Sequence, residues 1–226
     1  MNPVDIFGND APPFNLEYLV DLKDAVKNIK KKHYEWRYSK LKRSQKIERV
    51  FAYELYHQLR LLTTSTEEHK QRHAGIRFDG ELSKVIKNDN VQHLGVAGTG
   101  IDAQERFTPD LVLHLGQDFN LQFDQKLIIE IKTKEVSPSD FKKTILKLNH
   151  YLRVLNFQYA VFISVNTDFT EFKRDAYNYF NLVSAENRTH FNKLILMNYK
   201  EVDIENKDNN VKCISLKHLL DVGLQP

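Results

Sequence analysis

Apolar positions fall in separable blocks along the 226 residues, and their spacing changes from block to block. Residues 1–15 read as an irregular arm, because Pro3, Gly8, Pro12 and Pro13 interrupt any regular helix. From Leu16 onward, Leu19, Leu22, Val26 and Ile29 recur at three and four, which predicts a helix with Lys23, Lys27, Lys30 and Lys31 on its other face. A second helix is expected from an N-cap at Ser44, with Ile47, Val50, Phe51, Leu55, Leu59 and Leu62 as its stripe. Residues 63–74 read as a polar loop. A short strand follows around Ile76-Arg77-Phe78 with a turn at Asp79-Gly80, and another extended piece is expected at Val91–Val96.

The second half alternates more clearly. Leu111–Leu115 and Leu127–Ile131 predict two strands on either side of a polar turn region. Ser137-Pro138 opens a helix carrying Phe141, Ile145, Leu148 and Leu152. Tyr159–Val165 is nearly all apolar and predicts a strand buried on both faces. A helix capped by Asp168 or Thr170, a strand through Leu194–Leu196, a short extended piece at Val211–Ile214 and a helix after Ser215 complete the chain. This order predicts an α/β domain, a mixed central sheet flanked by helices, over 44–226. Residues 1–43 form an N-terminal helical extension.

Composition narrows the picture slightly. With 41% hydrophobic residues the chain can build a sizeable core. Its single cysteine, Cys213, excludes an internal disulfide and a cysteine-rich zinc site. No apolar run approaches the roughly 20 residues of a membrane span, and the start lacks a signal-peptide pattern, so a cytoplasmic protein with no membrane partner is expected. The net charge of +3 is small, but its distribution is not even. Residues 23–49 hold eleven Lys or Arg against three acidic residues, a local +8 that leaves −5 on the remainder. Lys27, Lys30, Lys31, Lys32 and Arg37, interleaved with Tyr34, Trp36 and Tyr38, have the chemistry to engage phosphates and stack on bases. A solvated helix face with docked aromatics, or a dimer contact, reads the same pattern differently.

The candidate chemistry lies between Pro109 and Lys134. Glu130 and Lys132 fall on one face of the same strand, with Ile131 turned toward a core. A carboxylate and an ammonium at the end of a buried strand require partners. Asp110, brought alongside by pairing of the two strands, supplies a second carboxylate. Two carboxylates and the Ile131 carbonyl suit a hard divalent cation. Lys132 could then orient or deprotonate a water, or stabilise charge on a phosphate.

Pro109, Asp110, Glu130 and Lys132 resemble the central signature of the PD-(D/E)xK nuclease superfamily, position by position. With its flanking elements the resemblance covers about residues 44–166. It implies a restriction-endonuclease-like fold and Mg²⁺-dependent cleavage of DNA phosphodiesters, with Mn²⁺ as a substitute. Asp110 and Glu130 would be ligands and Lys132 the catalytic lysine. RNA is not excluded as a partner, and a homodimer or a larger defence or repair assembly fits the same resemblance. A noncatalytic nucleic-acid-binding or assembly protein on this fold is the alternative.

Members of that superfamily often bring a glutamate from a preceding helix to the metal. Glu54, at the edge of the second helix's apolar stripe, is the preferred match here and Glu48 the poorer one; an ion pair of Glu54 with a neighbouring arginine is the other reading. On the helix after the lysine, Lys142 and Lys143 are placed to meet phosphates. Several resembled nucleases carry a glutamine and a tyrosine four apart on that helix; here the pair is Lys147 and Tyr151, so the glutamine is absent. Gly95, Gly98 and Gly100 are not followed by the Gly-Lys-Ser/Thr of an ATP-binding loop.

Overall fold

A computed structural model describes residues 2–34, 44–80, 109–115, 125–133, 136–181, 188, 190–201 and 205–224. Helices α1 (Pro3–Phe7), α2 (Glu17–Lys27), α3 (Ser44–Thr63) and α4 (Glu67–Arg72) precede strands β1 (Ile76–Gly80), β2 (Leu111–Leu115) and β3 (Gln125–Lys132). Then come α5 (Pro138–Val154), β4 (Tyr159–Val165), α6 (Phe169–Phe180), β5 (Leu194–Tyr199), β6 (Val211–Ser215) and α7 (Leu216–Val222). The six strands form one sheet whose order follows the chain. β1, β2 and β3 pair antiparallel, β3, β4 and β5 parallel, and β6 closes the sheet antiparallel to β5.

The parallel centre explains the two layers of helix. α5 and α6 each cross from one parallel strand to the next, in the same direction across the sheet. Crossovers of one hand therefore put both helices on one face. There Phe141, Ile145 and Leu148 of α5 and Phe172 and Phe180 of α6 pack on Ile128, Phe162 and Leu196. α2 and α3 cover the other face, where Leu22, Val26, Phe51 and Leu55 meet Ile129, Ile131 and Ile163. Every position of β4 and β5 is buried, as a strand covered on both faces requires.

The N-terminal segment is part of this core. Ile6 and Phe7 of α1 and Leu19, Leu22, Ala25 and Val26 of α2 are almost fully buried. Tyr34 is buried too; its hydroxyl donates to Glu201 at 2.8 Å, while that of Tyr199 donates to the Ile29 carbonyl at 2.8 Å. Asp21 on α2 takes hydrogen bonds from His73 Nε2 and Arg72, each at 2.7 Å, and so ties α2 to the end of α4. Burial works against its charge, but His73 and Arg72 outweigh that and hold the carboxyl below its ordinary range. The boundary drawn after residue 43 lies outside the described residues. What is described before it shares one hydrophobic cluster with the sheet.

Several elements differ from the sequence-based expectation. α1 forms inside the arm read as irregular. Pro3 sits in its first turn, where no N–H is needed, and the Asn2 side chain accepts from Val4 N–H. The chain leaves α1 through Gly8 at φ +62°, where a Cβ would come within 2.5 Å of the His218 ring. α4 occupies half of the stretch read as a loop; Thr66 caps it, accepting from His69 N–H, and Glu67 and Glu68 complement its N-terminal dipole. Gly80 is the last paired residue of β1, opposite Leu111, rather than a turn. The extended piece expected at Val91–Val96 lies outside the described residues. Among those described, no helix is long and apolar enough to cross a membrane.

Candidate functional site

Strand parity brings the signature residues together. On β3, Ile128, Glu130 and Lys132 share the face toward α5, while Ile129 and Ile131 point into the opposite core. β2 runs antiparallel to β3, so its start lies beside the end of β3. Asp110 N–H donates to the Ile129 carbonyl at 3.2 Å. Two residues further along β3, the ladder is continued by a side chain: Ile131 N–H donates to Asp110 Oδ2 at 2.7 Å. An extended residue presents its N–H and C=O on the same edge, so the Ile131 carbonyl leaves β3 on the Asp110 side.

Lys132 and Glu130 each meet a helix. Lys132 Nζ is 3.3 Å from Glu48 Oε2, near the start of α3. Glu130, 5% exposed, forms an ion pair with Lys147 of α5. Lys147 also stands over the Tyr151 ring, 5.9 Å from its centroid. Next to Lys132 on β4 lies Ser164, and next to that on β5 lies Asn198, so a polar row crosses the carboxyl ends of the three parallel strands. Ser164 donates to Thr167 Oγ1 at 2.8 Å and Asn198 to the Thr167 carbonyl at 2.9 Å, which satisfies both within the fold.

The electrostatics follow from burial and from this company. Burial, and next the Asp110 charge, push the Glu130 carboxyl up to about 7, although Lys147 and Lys132 pull it back. Burial alone would lower the Lys132 ammonium, but Glu48, Asp110 and Glu130 outweigh it and the net shift is upward. The company of three carboxylates thus favours the charged form of Lys132. Burial, with Glu130 and Asp110 nearby, raises the Tyr151 phenol, which stays protonated.

The structure separates the two helix glutamates. Glu48, the less favoured of the pair, reaches Lys132; Glu54 accepts from Gln58 Nε2 at 2.7 Å and lies 3.7 Å from His33 Nε2. Six residues apart on one helix, they stand about 9 Å apart along the axis and face different ways. Glu48 has the phase of the buried stripe, three before Phe51, seven before Leu55 and eleven before Leu59. That phase was the available signal. Lys147 and Tyr151 also belong to the site, on the same side of α5 as buried Thr144 and Leu148. Their signal was the four-residue spacing itself.

The basic extension is divided. Lys27 pairs with Asp24 at 2.7 Å and with Asp208, so its charge is already matched. Lys30, Lys31 and Lys32 are exposed just beyond α2, as are Lys142 and Lys143 on α5. Arg37, Trp36 and Tyr38 lie outside the described residues. Tyr34 does not present a stacking face: it is packed edge-on against Tyr199, centroids 5.4 Å apart.

No protein-family model, no curated protein and no solved structure matches the chain. Among the described residues, no group of three or more His, Cys, Asp or Glu stands together as a metal site. What Asp110, Glu130 and Ile131 do offer is an all-oxygen set of two carboxylates and a main-chain carbonyl, a donor chemistry that fits Mg²⁺ or Mn²⁺.

Proposed function

We propose that this protein is a metal-dependent deoxyribonuclease with a restriction-endonuclease-like core, hydrolysing DNA phosphodiester bonds. The observation that carries this reading is the meeting of Asp110, Glu130 and a cationic Lys132 at one end of one sheet face. Asp110 and Glu130, with the Ile131 carbonyl, would hold Mg²⁺, which supplies Lewis-acid activation of phosphate and water when bound. Lys132 would bind a non-bridging phosphate oxygen and stabilise the charge that develops there. Glu48 keeps Lys132 protonated and limits its reach. Tyr151 keeps its proton near the same carboxylates and is available as a donor. DNA is preferred to RNA on the resemblance of the signature; the residues themselves do not distinguish the sugars.

A test follows from these roles. Linear, circular, nicked and branched DNA are incubated with Mg²⁺ or Mn²⁺ and either wild type or K132A. Wild type should cut at least one of them, and K132A should fold normally yet lose about 10²–10³ in rate, as expected for removing a charge-stabilising group. Equal rates for the two proteins would remove Lys132 from the chemistry.

One observation favours a second reading, a noncatalytic nucleic-acid-binding or assembly protein on the same fold. Lys147 stands where the resembled exonucleases carry glutamine, and it already neutralises Glu130. Calorimetry with Mn²⁺ separates the readings. Under the nuclease reading wild type binds the ion, and K147Q binds it more tightly because no resident cation competes. Wild type that neither binds Mn²⁺ nor cuts any DNA in the panel would leave the noncatalytic reading standing.

A further inference from the structure

We infer that the outward face of α3 is a binding track for an unpaired polynucleotide strand, ending beside Lys132. Arg49, Tyr53, Tyr56 and Arg60 are spaced four, three and four residues apart, so they fall in one stripe along the helix. The stripe is turned away from Phe51, Leu55 and Leu59, which α3 buries against the sheet. Arg49 and Arg60 are exposed at its two ends, about 16 Å apart along the axis. Tyr53 between them is 62% exposed, and among the described residues no other phenylalanine, tyrosine or tryptophan is exposed. Tyr56 packs in part against the core and holds Arg60, whose guanidinium donates to its hydroxyl at 3.3 Å and lies 5.8 Å from its ring centroid. One end of the stripe is thereby fixed before any ligand arrives. The other end adjoins the candidate site, because Arg49 follows Glu48, whose carboxylate is 3.3 Å from Lys132 Nζ.

The stripe holds no carboxylate. α3 carries two, and both are engaged elsewhere: Glu48 with Lys132, and Glu54 on the other flank with Gln58 and His33. Two guanidinium groups with an exposed ring between them therefore present positive charge and one apolar plane. Guanidinium forks match phosphate oxygens, and a phenol ring matches the face of a base. In a duplex the base faces lie against one another and only their edges are open, so a ring on a helix surface has nothing to stack on. In a single strand the bases can turn out and stack on it. The chemistry thus selects an unpaired strand, with its phosphates at Arg49 and Arg60 and a base on Tyr53. That this strand is also what the site cuts rests on the proposed nuclease function; the track itself does not.

Binding is measured in EDTA by fluorescence anisotropy, with a labelled DNA strand, the RNA strand of the same sequence and the DNA duplex, over several salt concentrations. Circular dichroism checks that each variant folds. Y53A should weaken single-strand binding about tenfold, Y53F, which keeps the ring, by about twofold at most, and neither should change duplex binding. R49A/R60A should make the single-strand salt slope shallower by about one to two, while Y53A leaves the slope unchanged. Both sugars share this chemistry, so the strand that wild type binds more tightly and Y53A weakens is the ligand. Equal single-strand affinity of wild type and Y53A, an equal loss for strand and duplex, or an equal loss in Y53F and Y53A overturns the inference. So does a wild-type dimer in sedimentation that Y53A dissociates without changing strand affinity, which would make the face a contact between copies. A wild type that binds the strand through Tyr53 but cuts nothing with Mg²⁺ leaves the track standing and removes the nuclease reading.

Discussion

The Glu130 carboxyl lies where water scarcely reaches and beside Asp110, and both circumstances oppose its charge. Its pKa of about 7 in the folded protein, against an ordinary 4.5, sets a sign. Between those values the folded protein keeps a proton that the unfolded chain has released, so this residue makes stability fall as pH rises from about 4.5 to 7 and level off above. Denaturant titrations of wild type and E130Q at pH 4.5 to 8 should differ by that decline, on the order of a few kcal/mol. Parallel pH profiles for the two proteins would mean that Glu130 is ionised at little cost. Asp110 has a second duty, since its Oδ2 receives the Ile131 N–H. D110A should therefore lose about 1–3 kcal/mol of stability, the penalty of an unsatisfied buried donor, and, under the proposed nuclease function, metal affinity as well. D110N keeps an acceptor there; it should lose metal affinity by calorimetry while its thermal midpoint stays close to wild type.

At the scale of elements, the site is an agreement between β3 and a helix from each side. α5 returns over the sheet and delivers Lys147 to Glu130; α3, on the other face, passes the strand end and delivers Glu48 to Lys132. Removing the α3 contribution leaves a partly buried ammonium with less compensation. E48Q should accordingly destabilise the protein by about 1–3 kcal/mol and lower the Lys132 pKa, because burial then weighs more against the remaining carboxylates. Proton-dependent NMR shifts of the Lys132 side chain would read this directly, and an unchanged titration would show that Asp110 and Glu130 suffice. The strand half of this arrangement was legible beforehand. Side-chain alternation along the strand read at Leu127–Ile131 put Glu130 and the following Lys132 on one face, and Pro109-Asp110 marked the facing strand. The helix half was harder. Glu48 is in phase with the buried stripe of α3 and Glu54 stands at its edge, but which one arrives at the strand end also depends on where α3 crosses the sheet.

At the scale of the whole molecule, the chain before residue 35 is structural. α2 seals one face of the sheet, Tyr34 and Tyr199 lock its exit, and Asp21 binds it to α4. Fully burying a large aliphatic side chain is worth about 1.5–3 kcal/mol, and α2 alone buries Leu19, Leu22 and Val26. Since domains are stable by only about 5–15 kcal/mol, deletion of residues 1–34 should give an aggregated or molten product, with near-ultraviolet dichroism lost. A truncated protein with native spectra and a cooperative melt would instead make the segment a true appendage.

Apart from the short helices α1 and α4, local pattern determined which of the described stretches become strands and helices. Period two on β3, the unbroken apolar run of β4 and the three-and-four spacing on α2, α3 and α5 are properties of short segments, set by how backbone geometry repeats. The signature pair Glu130 and Lys132 shared a face for that reason alone. Only the tertiary structure decided what those charges meet. Glu48 rather than Glu54, Lys147 in place of a neutral side chain, Tyr34 turned into the core and Lys27 matched by Asp208 all depend on contacts between residues far apart in sequence. The state of Lys132 was decided at that level too. Burial and three neighbouring carboxylates oppose one another, and their balance is fixed by distances that no local spacing contains.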